Sequence, residues 1–334
     1  MTLSRLKLWR QALIYHAAAY RHGRSLAPVF DRTVHISSRS ILAFVVLRNE
    51  AFRIPYFLKY YRNLGVDHFL FVDNDSNDNF LDLIEDQTDC SAWTTTESYK
   101  EANFGVHWAN HLLRRYGSGH WCLVLDPDEF LIYPHMESRS LRELTEYLSQ
   151  ERKESFFAVM LDMYARGSID QATYMPGHDP LETCRWFDPT GYFQERQTYY
   201  GDWWIRGGVR RRVFFSEEPN KSPALNKTVL IKWRRHYLFF ASTHIAWPKR
   251  LNRPHFLDGL APTGCLLHFK YLAHFRGKVI EEMTRKEHYA GSREYQRYLE
   301  GLNAEEELWG KYSTCFTGWR QCVNFGLMNE GRWF

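Results

Sequence analysis

Three short apolar runs, Ile41–Leu47, His68–Val72 and Trp121–Leu125, constrain this chain most, because each stops abruptly at polar or charged residues. Runs of this length, rich in β-branched and aromatic side chains, read as strands buried on both faces, the kind found in parallel sheets covered by helices. The first ends at Arg48-Asn49-Glu50, the second at Asp73-Asn74-Asp75-Ser76-Asn77-Asp78 and the third at Asp126-Pro127-Asp128-Glu129. Ligands of open α/β sheets bind beyond the carboxyl ends of the strands, so three polar clusters delivered to one sheet edge describe a binding crevice.

The segments between these runs fit that reading. Ala51 to Asn63 repeats Phe52, Tyr56, Phe57 and Tyr60, with Pro55 in the first turn and Gly65 just past the end, and reads as a helix. A helix over about Phe80 to Glu85, a strand over Trp93 to Thr96 and a helix over Phe104 to Tyr116 continue the alternation. Strand and helix alternating at this spacing imply right-handed crossovers and a largely parallel central sheet flanked by helices. With 334 residues, the expectation is an α/β fold with one main domain over 40–275, a basic extension over 1–39 and a C-terminal elaboration over 276–334. In that last part Val279–His288 and Arg293–Asn303 read as polar helices.

The third cluster carries the most specific chemistry. Two short carboxylates spaced by one residue, Asp126 and Asp128, aim oxygens at one hard divalent cation, which prefers oxygen ligands and often shares them with substrate phosphates. A turn in which Asp126 caps and Asp128 faces solvent is the competing reading. Neither G-x-G-x-x-G after a strand nor G-x-x-x-x-G-K-[ST] occurs, which counts against dinucleotide oxidoreductases and P-loop NTPases. Diphosphate binding then falls to metal plus cations, and Arg206, Arg210, Arg211, Arg212 and Lys227 are the supply. Arg210, beside the Gly207-Gly208 pair that permits close backbone approach, and Lys227 are the favoured two.

Composition narrows the setting. A net charge of +4 gives no argument for nucleic acid, but residues 1 to 40 hold seven Lys/Arg against the single acid Asp31. Leu3, Leu6, Trp9, Leu13 and Ile14 fall among those cations at roughly helical spacing. An interfacial helix making peripheral contact with an anionic membrane fits this, and so does a poorly ordered extension. No signal peptide or membrane-spanning segment is visible there. Six Cys without a C-x-x-C pair suggest reduced thiols, hence a cytoplasmic location, and fifteen His without H-E-x-x-H give no zinc-hydrolase signature. The twelve Trp fit a carbohydrate or nucleotide ligand as well as core filling.

Taken as a set, Leu47-Arg-Asn-Glu50, Leu64-Gly-Val-Asp-His68, Val72-Asp-Asn-Asp-Ser76 and Leu125-Asp-Pro-Asp-Glu-Phe130 resemble the bacterial family 2-like glycosyltransferases, near the family 92 branch. The resemblance covers about residues 40 to 165 and lies in the order and spacing of the motifs. It implies a GT-A-like nucleotide-sugar-binding domain whose D-x-D holds Mn²⁺ or Mg²⁺ on the donor's diphosphate. Carried over residue by residue, Arg48, Asn49, Glu50 and Asp73 line the nucleotide, while Asp126 and Asp128 take the metal. Asp75 and Tyr61 depart from the family's usual residues. Further points of likeness are Gly207-Gly-Val-Arg210 and Leu266-Leu-His-Phe-Lys270, and the late His268 implies a third metal ligand, with a core histidine as the alternative. An inverting enzyme of this type needs a carboxylate to deprotonate the acceptor hydroxyl. Asp162 and Asp202 are the candidates, with Asp162 favoured. Tyr164, Trp203 and Trp204 are candidate acceptor-stacking residues and His244 a candidate pocket residue, with core packing the default for the aromatics.

The resulting expectation is a metal-dependent glycosyltransferase acting on a glycan or lipid-linked acceptor in cell-surface polysaccharide synthesis, at the inner face of the cytoplasmic membrane. A metal-dependent phosphoryl hydrolase or nucleotidyltransferase using the same aspartates is the alternative, and a non-enzymatic carbohydrate-binding protein is a third reading.

Overall fold

The computed structural model describes residues 3–196, 203–252, 261–285, 293–304 and 307–333. In chain order the strands are β1 (Ala27–Phe30), β2 (Ile41–Leu47), β3 (His68–Asp73), β4 (Cys90–Thr94), β5 (Trp121–Leu125), β6 (Glu129–Ile132), β7 (Ser155–Asp162), β8 (Trp186–Phe187), β9 (Phe193–Arg196), β10 (Trp203–Arg206), β11 (Asn226–Lys232), β12 (Leu238–Phe239), β13 (Ala246–Trp247), β14 (Gly264–His268) and β15 (Thr314–Cys315). The α-helices are α1 (Leu3–His22), α2 (Ile54–Leu64), α3 (Phe80–Ile84), α4 (Val106–Leu112), α5 (Leu141–Gln150), α6 (Phe275–Arg285), α7 (Arg293–Ala304) and α8 (Trp319–Asn324). The chain divides into two compact units, one of residues 1–127, 140–156 and 228–252, the other of 128–139, 157–227 and 253–334.

In the first unit strands run side by side in the order β1-β4-β3-β2-β5-β11. β2 pairs in parallel with both β3 and β5, and β3 with β4, while β1 and β11 join their neighbours antiparallel. The expected α/β alternation with a largely parallel sheet flanked by helices is present. Leu42, Phe44, Leu70, Val72, Trp108 and Trp233 meet in one apolar cluster, so these two tryptophans serve the core. α2 begins with Pro55 in its first turn and ends at Gly65, whose φ of 107° lets its N–H close back on Tyr61 and Arg62. α5 starts with a capping box, in which Ser140 accepts from the Glu143 N–H and Glu143 reaches back to Ser140.

The segment expected as an extension over 1–39 belongs to the first unit. α1 packs on α4, and β1 pairs with β4. Small side chains make this close approach feasible: Ala12 and Ala19 are buried on the inner face of α1, and a Cβ on Gly23 would lie 2.0 Å from the His111 ring. His22 completes the attachment by bonding Glu97 at 2.7 Å through Nδ1.

In the second unit β14 lies between β7, to which it is parallel, and β6, to which it is antiparallel. The segment expected as an elaboration over 276–334 belongs to this second unit. Tyr295, Tyr298 and Leu302 of α7 join Tyr164, Val209, Phe214, Tyr271 and Phe275 in one buried cluster, so the face of α7 that reads as polar in composition is in part a core face. No helix among the described residues is long and apolar enough to cross a membrane.

Candidate functional site

In the first unit the polar ends of β2 and β3 fold onto each other. Arg48 donates through Nη1 to the Asn74 carbonyl at 2.7 Å and to the Asp75 carboxylate at 3.3 Å. Asn49, at φ 53°, receives Asn77 N–H on its side-chain oxygen at 2.9 Å and donates its own N–H to Ser76 at 2.9 Å. Asp73 is buried and accepts the Ser76 hydroxyl at 2.5 Å and its N–H at 3.2 Å. Burial pushes the Asp73 carboxyl up, and the Ser76 bonds offset part of that. Asp78 accepts from Ala51 N–H at 2.8 Å and Phe80 N–H at 3.2 Å. Glu50 is buried against Arg53 at 2.7 Å. Of the four expected nucleotide contacts, Glu50 and Asp73 thus have structural work, while Arg48 and Asn49 reach the partly exposed rim. Asp126 is exposed directly after β5, and His244 lies in the turn between β12 and β13 with its N–H on Ser242 Oγ at 3.3 Å.

The second unit gathers a charged chain at adjoining strand ends. In the parallel pair β7–β14, Asp162 and His268 are register partners at the last positions of their strands. Asp128 precedes β6, and its carbonyl accepts Phe269 N–H at 2.9 Å, which fixes it beside the end of β14. His268 therefore lies between two carboxylates, Nδ1 2.6 Å from Asp162 Oδ1 and Nε2 3.3 Å from Asp128 Oδ2. Arg210 closes the back of the cluster as a fork, with Nε donating to Asp162 Oδ2 at 3.0 Å and Nη2 to Oδ1 at 2.7 Å.

Burial alone would raise the Asp162 carboxyl, but the charge of Arg210 and the His268 hydrogen bond outweigh it and hold Asp162 well below the usual carboxylate range. Burial would lower His268, but the charge and hydrogen bond of Asp128, with those of Asp162, outweigh it and raise the imidazole to about 9. His268 is thus an imidazolium at neutral pH. Because its folded value lies above its ordinary 6.5, the stability it contributes is fully present below pH 6.5 and is lost as pH rises through about 9. Urea unfolding from pH 6 to 10 checks this: the stability gap between the wild type and His268→Gln should close above pH 9.

Several expected site residues have other positions. Lys227 is fully buried against Glu129, itself fully buried, at 2.5 Å, so its ammonium is committed to that carboxylate rather than presented to a diphosphate. Arg210 is committed to Asp162 in the same way. The close approach at Gly207 is to protein, since a Cβ there would lie 2.7 Å from the Gly191 carbonyl oxygen and the Tyr192 Cα. Tyr164 is wholly buried, its hydroxyl donating to Asp188 and bonded to Ser313 at 2.8 Å, so its ring is core and offers no stacking face. Trp203 and Trp204 stand partly buried on β10, paired with β9, and the Arg206 guanidinium lies 4.7 Å from the Trp204 ring. Asp202 lies outside the described residues.

One cation was not singled out from sequence. Lys270, two residues beyond His268, lies 4.3 Å from the Tyr298 ring centroid, with the Tyr295 and Phe275 rings at 5.5 and 5.7 Å. Burial lowers its pKa against the opposing charge of Glu294, whose carboxylate is 3.5 Å away. Its place within Leu266-Leu-His-Phe-Lys270 was the only sequence signal. Among the described residues, no group of three or more His, Cys, Asp or Glu is arranged to hold a metal ion.

Fold and site together define an α/β protein whose second unit sets a carboxylate–imidazole–carboxylate chain at its strand ends. No family model matches the chain, and no curated protein matches it. Among solved structures it is similar to the mannosyltransferase PcManGT from Pyrobaculum calidifontis in complex with GDP-Man and Mn²⁺, at 17% identity over 49% of this chain and 45% of that one, with a TM-score of 0.27. It is also similar to HddC from Yersinia pseudotuberculosis, at 12% identity over 41% of this chain and 67% of that one, TM-score 0.25. A third likeness is to the 4-diphosphocytidyl-2C-methyl-D-erythritol synthase from Anaerococcus prevotii, at 12% identity over 44% and 68%, TM-score 0.25. The chain spans less than half the length of the mannosyltransferase, and at such scores these likenesses carry nothing over to its chemistry.

Proposed function

We propose that this protein is a metal-dependent glycosyltransferase of the GT-A type, moving a sugar from a nucleotide-sugar donor to a glycan or lipid-linked acceptor. The observation that carries the proposal is the Asp162–His268–Asp128 chain at the ends of β7 and β14 and the start of β6. A metal-ligating histidine characteristically gives its second N–H to a carboxylate, which fixes ring and tautomer, and Asp162 stands at Nδ1 to do that. Nε2 and Asp128 then face each other across a looser 3.3 Å, with the proton between them replaceable by a cation. What supports a divalent ion is the chemistry of the donors, since an imidazole beside a carboxylate suits Mn²⁺ better than Mg²⁺. Asp128 and His268 would hold it. Bound there, the ion supplies positive charge to a departing diphosphate.

The chain's own residues then have distinct tasks. Asp162 keeps the proton on His268 Nδ1 and orients the ring; held so acidic, it takes up an acceptor proton poorly, and the base role passes to Asp202 on sequence grounds. Arg210 neutralises Asp162 and keeps the pair rigid. Lys270, braced on three rings, is the cation proposed to contact the donor's phosphate oxygens in place of Arg210 and Lys227. Arg48 and Asn49 remain the proposed nucleoside contacts of the first unit, and Trp203 the acceptor-stacking candidate. The hydrolase or nucleotidyltransferase reading would recruit Asp73 and Asp75 as extra ligands. Asp73 caps the Ser76 turn and Asp75 faces Arg48, so neither is offered here as such a ligand.

Calorimetric titration of UDP and GDP with and without Mn²⁺ tests the proposal. Nucleotide binding should require the metal. Mn²⁺ alone should bind about tenfold more tightly per pH unit up to about pH 9, releasing the His268 proton. Metal-independent nucleotide binding, or Mn²⁺ binding without proton release, would defeat it.

A further inference from the structure

Six of the eleven large apolar side chains described as exposed fall within the first 34 residues: Trp9, Leu13, Ile14, Tyr20, Val29 and Val34. Scattered singly, such residues need no explanation, but a concentration of them marks an interaction surface. On α1 they are ordered. With 3.6 residues per turn, Trp9, Leu13, His16 and Tyr20 fall within about 60° of one another, and the middle of that stripe lies about 80° round the helix from the buried Ala12 and Ala19. Trp9 is 51% exposed, Leu13 67% and Tyr20 68%. The stripe is held in place, because α1 is docked on α4 by its buried face and the Trp9 ring stands edge-on to Trp247 at 6.0 Å.

Cations border the stripe on both sides. Arg10 and Arg21, exposed, lie about 60–80° further round the helix. On the other side His16 feels the charges of Arg114 and His236, and Arg114 donates to the Arg235 carbonyl at 3.1 Å. Arg114, Arg115, Arg235 and His236 are all exposed. No acid occurs in α1, and the nearby carboxylate Glu154 is engaged by Arg234 and Arg250.

We infer that this face of the first unit, the outer stripe of α1 together with Arg114, Arg115 and Arg235, docks on an anionic lipid bilayer. Charge complementarity names the occupant: apolar and aromatic side chains between two rows of cations match acyl boundary and headgroup phosphates respectively. Leu13 would find nothing to bury against on a nucleic acid, which presents phosphates and stacked bases. The inference stands on the first unit alone and is independent of any transferase activity.

The test is co-sedimentation of the full chain with vesicles of phosphatidylcholine, with or without phosphatidylglycerol. Binding should require the anionic lipid and weaken in high salt. Each cation near the surface contributes about five-fold, so Arg10→Glu with Arg21→Glu should lower binding more than tenfold. Leu13→Ser with Tyr20→Ser should lower it at unchanged charge. All four positions are exposed, so far-UV circular dichroism should match the wild type. Equal binding to both vesicles, variants that bind like the wild type, or tighter retention on double-stranded DNA than on the anionic vesicles would each overturn the inference.

Discussion

Asp128→Ala is expected to reduce turnover or slow hydrolysis of a nucleotide sugar by about 100-fold or more, the usual loss when one charge-stabilising group is removed from a site of this kind. The fold should survive. Asp128 is fixed to β14 through its backbone carbonyl and the Phe269 N–H, a contact that truncation to Cβ leaves in place. Its side chain keeps 16% of its exposure, so the change opens no sealed cavity. A second readout separates loss of chemistry from collapse. Asp128 is the strongest of the influences that raise His268, so without it the imidazole should titrate below 9, visible in the NMR shift of its ring protons. Loss of turnover with a lowered His268 and an unchanged melting curve supports the assignment. Retained turnover removes Asp128 from the site, and a lost melting transition shows a structural role instead.

What could be read from the sequence followed from local rules. The β2, β3 and β5 runs are apolar throughout because both faces are covered, and a five- to seven-residue run ending at Arg48, Asp73 or Asp126 marks a strand end directly. Pro55 and Gly65 bracket α2 for reasons of backbone geometry alone. Pairings between distant segments were not legible. Nothing near Lys227 in the sequence indicates that Glu129 will take its charge, or near Arg210 that Asp162 will; both follow from strand order, which no local pattern encodes. The same ignorance made Asp162 look like a base: a carboxylate at a strand end has ordinary basicity until a buried guanidinium is placed against it. Tyr164 failed for a related reason, because an aromatic near a polar cluster reads as a platform until Asp188 and Ser313 are seen holding its hydroxyl. The docking of the extension on α4 was not legible because Ala12, Ala19 and Gly23 carry it, and small residues leave little hydrophobic signal.

Lys227→Met is expected to destabilise the protein by about 3–5 kcal/mol, read as a fall in the urea midpoint. Both partners of the Lys227–Glu129 pair are fully buried, so deleting the ammonium leaves a carboxylate in the interior without its counter-charge, and that costs far more than a surface ion pair is worth. The remedy identifies the cause. Adding Glu129→Gln to Lys227→Met removes the stranded charge, and an isosteric amide should recover most of the lost stability. Intact, the pair need not be strongly stabilising, because desolvation of two charges offsets much of their attraction, so the single variant should be worse than the double one. If the double variant is as unstable as the single, packing of the lysine stem rather than charge governs the position. The outcome also bears on function: a lysine whose removal is repaired by neutralising Glu129 is a structural partner of β6, which leaves Lys270, two residues beyond His268, to be tested for phosphate contact.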